Sequence, residues 1–212
     1  MAEKSFQEQW QENLQHWKTK LEELQLQFQL GRKEAEEKLE EQKKAARKWM
    51  DEAGARLEEI GEEARDEAED LKEAFDKLRE KLKKGPATTA EELEKQEEEL
   101  SATLEDMQGK AEAAAEKGGA KTAAFMEELN GLLLQYQAQF KVLSAKVKAE
   151  SVEEWGEFRK EASEKLDTLK KKTDEWAAEA SEEWKEKSSE LKKAFNQFLA
   201  TLKKEQKEKD EE

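Results

Sequence analysis

Apolar side chains recur every three or four residues from Trp10 to Leu82, with charged side chains between them. The mean step of about 3.6 residues places these positions on one face of an α-helix. No proline interrupts the stretch. The pattern predicts one long amphipathic helix over residues 6–84. Glycines cost stability inside a helix, so they are the points where it could bend or fold back: Gly31, Gly54 and Gly61.

A second apolar face of the same kind runs from Phe125 to Leu202. It predicts a second long helix over residues 121–204, with Gly156 as a further candidate bend. The last residues, 205–212, are charged and carry no apolar face, so we expect a flexible tail.

The end of the first helix is marked by Gly85 and Pro86. Lysines precede this pair and suit the negative end of the helix dipole, while Pro86 cannot continue a helix. Gly85 is therefore expected to adopt a left-handed cap conformation.

A shorter helix is predicted to follow. Thr88 or Thr89 is suited to cap it, with Glu91 and Glu92 close enough to complete a capping box. The helix is expected to stop at Gly118 and Gly119, since paired glycines favour a turn.

Two parts of the chain resemble each other. More than half of the positions are identical between Arg32–Trp49 and Arg159–Trp176, and Leu71–Lys84 resembles Leu191–Lys204. The interpretation is an internal duplication with four parts: a first repeat over 1–86, a connecting helix over 87–119, a second repeat over 120–204 and the tail over 205–212.

These elements predict an all-α fold, with long amphipathic helices in an antiparallel coiled coil or helical bundle. We expect the two long helices to be continuous and to pair along their length. The alternative is a shorter bundle in which the chain folds back at its glycines.

Composition leaves a second possibility open. Charged residues make up 44% of the chain, the net charge is -15, and Leu, Ile, Val and Phe together fall below a fifth of the residues, as in disordered proteins. The regular spacing of the apolar positions favours helix, and a disordered, desiccation-type protein is the alternative.

The composition also indicates which kinds of partner and which cellular location to expect. An acidic chain repels phosphate backbones, so no nucleic-acid partner is expected. No apolar run is long enough for an integral membrane protein, no secretory leader is visible, and there is no cysteine. We therefore expect a cytoplasmic protein.

Catalytic chemistry has few candidate residues. His16 is the only histidine and is expected at a boundary or surface position, so a Ser-His-Asp triad and a paired-His metal site are excluded within the chain. The acidic run Glu97–Glu99 is interpreted as a solvated helix face, and residues 117–122 as a helix–helix turn. We expect no enzyme activity, no metal and no cofactor.

Six tryptophans are the most informative residues, because indole is unusual in a coiled-coil core. Their positions on the apolar stripes have two interpretations: packing inside a bundle, or contact with a hydrophobic surface that suits the amphipathic indole ring. The predicted apolar interaction face comprises Trp10, Trp17, Leu21, Phe28, Leu39, Trp49, Leu71, Phe75, Phe140, Trp155, Leu166, Trp176, Trp184, Phe195 and Phe198.

The run LEELQLQFQLGRKEAEEKLEEQKK, followed by a Trp and repeated later, resembles bacterial coiled-coil proteins of uncharacterised or stress-related role. The Lys/Glu-rich helical periodicity is also similar to that of exchangeable apolipoproteins and, more loosely, of granule-coating phasins. The first resemblance implies a scaffold that binds a helical partner or itself. The second implies a reversible amphipathic coat on lipid or on a hydrophobic granule.

Overall fold

The structure, a computed structural model, describes residues 6–58, 60, 64–149, 151–178 and 184–207. Within these residues the chain forms helices and no strand. Ala, Leu, Glu and Lys, which dominate the chain, favour helix intrinsically, and the apolar stripe gives each helix a face to bury. The predicted all-α class is confirmed. The helices are α1 (Phe6–Gln27), α2 (Arg32–Leu57), α3 (Arg65–Leu82), α4 (Ala90–Lys117), α5 (Ala120–Lys148), α6 (Val152–Ala178) and α7 (Trp184–Lys207).

The first predicted long helix is not continuous, and that expectation was wrong. The chain turns directly after α1, where the amide of Gln29 donates to the carbonyl of Leu26 and that of Leu30 to Gln27. Gly31 then caps α2, and its amide donates to the Glu34 carboxylate over 2.8 Å. Gly31 was one of the predicted candidate bends, and a side chain three residues into α2 stabilises the start of that helix.

A second interruption separates α2, which ends at Leu57, from α3, which begins at Arg65. Gly61, a candidate bend, lies outside the described residues. Gly54 lies inside α2 and does not end it.

The second predicted long helix is also divided. α5 ends at Lys148 and α6 begins at Val152, while α6 ends at Ala178 and α7 begins at Trp184. Gly156 lies inside α6 and ends no helix. α7 continues to Lys207, so the first residues of the predicted tail are helical, and 208–212 lie outside the described residues.

The start of α4 confirms the predicted threonine cap, while the Glu92 carboxylate bonds Thr88, one residue before the N-cap. Thr89 is the N-cap and accepts a hydrogen bond from the Glu92 amide over 3.1 Å. The carboxylate of Glu92 accepts in return from the Thr88 amide over 2.8 Å and from its hydroxyl over 2.7 Å. The left-handed cap predicted for Gly85 is wrong, because no described residue has a positive φ, and the C-cap of α3 is Lys83.

The helices fall into two compact units. Helices α2 to α5 form the four-helix unit, and α1, α6 and α7 form the three-helix unit. This grouping cuts across the two predicted repeats, because each unit draws helices from both. The duplication itself stays a prediction.

Neighbouring helices of the four-helix unit run antiparallel, in an up-down-up-down ring. Arg79 of α3 bonds Asp51 of α2 over 2.9 Å, while Lys72, earlier in α3, reaches Glu58 beyond the end of α2. The pairing of α2 with α5 closes the ring, with 2.9 Å between Arg56 and Glu128.

Helices α4 and α5 form a hairpin across Gly118 and Gly119. A Cβ atom built on Gly118 would lie only 2.4 Å from Cγ2 of Thr122 and 3.0 Å from the carbonyl oxygen of Ala114. Gly118 therefore allows a backbone approach that a side chain would block. α4 ends at Lys117 and α5 begins at Ala120, so the helix–helix turn predicted within residues 117–122 is confirmed.

In the three-helix unit, α1 runs antiparallel to α6. Lys18 contacts Asp174 over 2.7 Å, and Lys170 donates to Gln25 over 2.7 Å. Phe28, at the end of α1, meets Trp155 near the start of α6. α7 packs along α6.

Candidate functional site

The predicted apolar face lies inside the units. In the three-helix unit, Trp17 packs edge-on against Phe195 with 5.0 Å between ring centroids, and Phe195 packs against Phe198 at 5.8 Å. Phe28 and Trp155 form a second aromatic pair with centroids 6.3 Å apart. All five side chains are buried. Such aromatic pairs contribute roughly 0.5–1.5 kcal/mol each beyond the area that they bury.

A third aromatic cluster lies in the four-helix unit. Trp49 of α2 lies between Phe75 of α3 and Tyr136 of α5, with centroid distances of 5.9 Å and 5.8 Å. Tyr136 in turn lies 6.5 Å from Phe140. The indole therefore joins three helices of the ring, which accounts for a bulky side chain at this position.

The remaining members of the predicted face are four leucines and three tryptophans. Leu21, Leu39, Leu71 and Leu166 are buried. The side chains of Trp10, Trp176 and Trp184 lie outside the described part of the structure. Among the described residues, Leu26 is the only large hydrophobic side chain that is strongly exposed, at 62%. The described members of the face are thus buried, except Trp49, which is partly exposed.

The interior of the four-helix unit is rich in alanine. Small residues fill many positions of the apolar stripe, and burying Ala removes much less apolar area from water than burying Leu. The driving force for closing this unit is correspondingly modest. Its buried alanines are Ala35, Ala46, Ala53, Ala64, Ala68, Ala74, Ala111, Ala114 and Ala138.

Charged side chains share this interior. Glu97 of α4 lies 3.5 Å from Lys141 and 3.1 Å from Lys148, both on α5. The exposed fraction is only 4% for the Glu97 and Lys141 side chains and 17% for Lys148. Burying an ion pair costs desolvation free energy that the attraction between the charges offsets only in part.

Lys43 of α2 adds a third buried ammonium group. Its side chain is 2% exposed, and its Nζ lies 2.7 Å from Glu40 and 3.1 Å from the Gln96 oxygen of α4. Because α2 and α5 are antiparallel with Trp49 opposite Tyr136, Lys43 lies at about the same level as Lys141. We call Lys43, Glu97, Lys141 and Lys148 the buried charged layer.

Sequence reasoning placed the run Glu97–Glu99 on a solvated face, and this was wrong for Glu97. Glu98 is exposed and Glu99 is partly exposed, as expected. Glu97 instead occupies the interior position between Leu93 and Leu100. That spacing, four residues after one apolar residue and three before the next, is the signal that could have identified it.

Polar groups without partners add to this interior. Both side-chain atoms of Asn130 and the Gln135 amide nitrogen are buried and make no hydrogen bond. Each buried, unsatisfied polar group costs roughly 1–3 kcal/mol. The four-helix unit is therefore less stable than a fully apolar bundle of the same size.

Ion pairs on the surface link the helices. The Glu67 carboxylate bonds Lys117, and this contact holds the pKa of Glu67 below and the pKa of Lys117 above their ordinary values. Lys84 likewise holds the pKa of the Glu99 carboxyl below its usual value. These exposed pairs fix which helix surfaces meet and contribute little free energy each.

No group of three or more metal-ligating side chains comes together among the described residues. In the same residues, no helix combines the length and the apolar character needed to cross a membrane. The side chain of His16 lies outside the described part.

Comparison with known proteins adds no assignment. No family model matches the chain, and neither curated proteins nor solved structures give a match.

Proposed function

We propose that this chain is a non-enzymatic, reversible amphipathic coat, which binds lipid or a hydrophobic granule surface by opening its four-helix unit. The observation that carries the proposal is the interior of that unit, where an apolar stripe rich in alanine is buried together with charged side chains. Such an interior gains less from closure than an apolar core.

Opening onto a surface would keep the apolar stripe out of water and would return the buried charged side chains to water. An apolar stripe laid on lipid stays out of water, while lysine and glutamate side chains extend into solvent. Indole rings suit the boundary between the two environments, so Trp49 would remain favourably placed. In water without such a surface, closure hides the apolar side chains.

The choice of surface follows from charge. A net charge of -15 opposes tight binding to anionic membranes, so the proposed surface is uncharged or zwitterionic. Phosphatidylcholine vesicles are therefore the appropriate probe.

The test is a vesicle titration followed by tryptophan emission and by circular dichroism. We expect a blue shift of the emission with helicity retained, and quenching by lipids brominated in their acyl chains. An unchanged spectrum together with an unchanged cooperative melt would reject the coat.

A cross-linked variant tests whether opening is required. The chain has no native cysteine, so Arg56→Cys with Glu128→Cys, whose wild-type side chains lie 2.9 Å apart, gives a single linkage between α2 and α5, the pair that closes the ring. Joining them with a cleavable bis-maleimide should abolish vesicle binding, and cleavage should restore it. The unlinked double variant is the matched control.

A second candidate is an interaction scaffold that works in the closed form with a helical partner or a second copy, in the stress-associated role that the resemblance implies. The aromatic contact of Trp49 with two neighbouring helices favours it, because such packing stabilises a closed bundle. On this hypothesis the cross-linked variant still binds its helical partner or a second copy, and vesicles leave the tryptophan emission unchanged. A solution mass measurement reports any self-association.

A further inference from the structure

Resting on the function proposed above, we infer that the buried charged layer regulates how readily the four-helix unit opens onto an apolar surface. The layer consists of Lys43, Glu97, Lys141 and Lys148, and it joins α2, α4 and α5.

Three members of the layer, Lys43, Glu97 and Lys141, are buried, and Lys148 at its edge is partly exposed. Glu97 and Lys141 are each 4% exposed, and both oxygens of Glu97 contact lysine ammonium groups of α5. Lys43 reaches across the ring from α2 to Gln96, the residue beside Glu97 on α4. Opening the ring separates α2 from α4 and returns these groups to water.

The layer and the apolar stripe respond differently to opening. On an apolar surface, the stripe exchanges one apolar environment for another, so its contribution changes little. The charged groups, however, exchange a desolvated environment for a hydrated one. A group shifts the equilibrium between the closed and open states only if its free energy differs between them. The environment of the buried charges changes most on opening.

Their mutual attraction opposes premature opening. Glu97 contacts two ammonium groups on the neighbouring helix, and this attraction is strong in an interior of low dielectric constant. In water, the attraction between Glu97 and the lysines therefore helps to keep the unit closed. When a surface covers the apolar stripe, hydration of the same charged groups favours the open unit.

The decisive variant replaces the layer by apolar side chains of similar size, Lys43→Met with Glu97→Leu and Lys141→Met, in the full chain. Apolar replacement of a buried ion network commonly stabilises a fold, so the melting temperature should rise by about 5–10 °C. Association with phosphatidylcholine vesicles, followed by stopped-flow tryptophan emission, should become at least about tenfold slower.

The control removes two lysine charges and one glutamate charge, as the triple variant does, but from the exposed surface of α2 and α4. Lys44, Lys48 and Glu98 are exposed, and changing each to Gln should leave the melting temperature nearly unchanged and the association rate within about twofold of the wild type. The single variant Glu97→Gln provides a test in the opposite direction. It leaves buried lysines without the carboxylate that they contact, so association should become at least about tenfold faster.

The outcomes separate the two proposals. If the wild type binds vesicles and both layer variants bind at the wild-type rate, the inference is overturned and the proposed coat function stands. If the wild type does not bind, the coat function fails, and the inference fails with it. If the triple variant does not fold, Glu97→Gln decides: faster association supports the inference and an unchanged rate overturns it.

Discussion

The rings of Trp17 and Phe195 meet edge-on, with 5.0 Å between their centroids, although one residue lies in the first helix and the other in the last. Both side chains are buried. This contact joins α1 to α7 inside the three-helix unit, where each helix by itself has too little apolar surface to be stable in water.

Replacing Trp17 with Ala should therefore destabilise the three-helix unit. Loss of a buried Trp typically lowers the free energy of unfolding by about 3–5 kcal/mol. Urea unfolding followed by circular dichroism measures the change. Leu26→Ala, at an exposed position of the same helix, should cost less than about 0.5 kcal/mol. Equal losses for the two variants would show that the Trp17–Phe195 contact does not hold the unit together.

Glu97 and Glu98 offer a comparison between adjacent carboxylates. Glu97→Gln removes the buried negative charge that contacts Lys141 and Lys148, and we expect the free energy of unfolding to fall by about 3 kcal/mol. Glu98 is exposed, so Glu98→Gln should change it by less than about 0.5 kcal/mol. Denaturant unfolding at neutral pH checks both values. A loss below about 1 kcal/mol for Glu97→Gln would contradict the burial of this group.

Gly118 and Gly119 differ in the space around them. A methyl group at Gly118 would overlap Thr122, whereas nothing lies within 4 Å of a Cβ atom at Gly119. Overpacking of this kind costs roughly 1–3 kcal/mol, so Gly118→Ala should lower the melting temperature, and Gly119→Ala should leave it nearly unchanged. Differential scanning calorimetry distinguishes the two. The close α4–α5 turn would be disproved by equal melting temperatures.

Protonation of Glu92 provides a test of the α4 cap. Hydrogen bonds from the amide and hydroxyl of Thr88 hold the pKa of the Glu92 carboxyl below its ordinary value of 4.5. Because the pKa is lower in the folded state, the stabilisation is complete above the unfolded value and disappears as the pH falls through the folded one.

Glu92→Gln should consequently be less stable than the wild type at pH 7, and the difference should shrink steadily as the solution is acidified below about pH 4.5. Urea midpoints of both proteins at matched pH values measure it. A difference that stays constant down to the most acid conditions would mean that the Thr88 bonds do not favour the ionised carboxylate.

The all-α fold and the start of α4 could be predicted from the sequence, whereas the breaks in the long helices could not. Phe28 and Ala35 are both buried, yet the chain turns between them. They are seven residues apart, which is close to two turns of helix, so the turn leaves the apolar spacing in phase. Apolar spacing reports which side chains are buried, and it does not report whether the backbone between them is helical.

The buried charged layer was missed for a different reason. Glu97 and Lys43 occupy interior positions of their helices, but a charged residue at such a position is usually exposed. What permits burial is a partner on another helix, Lys141 for Glu97 and Gln96 for Lys43. Local periodicity therefore marks Glu97 as an interior position, but it does not show the partner on another helix that offsets the cost of burying the charge.

During synthesis, the helices of the two units find their packing partners at different times. The four helices of the four-helix unit are consecutive in the chain, so each gains one neighbour as soon as the next helix is complete. α1 is made first, but its partner α6 begins only at Val152. At translation rates of roughly 5–20 residues per second, α1 waits on the order of 10 s with its apolar face uncovered. During that interval Trp17, Leu21 and Leu24 of the nascent chain lack the α6 and α7 side chains that cover them in the folded unit.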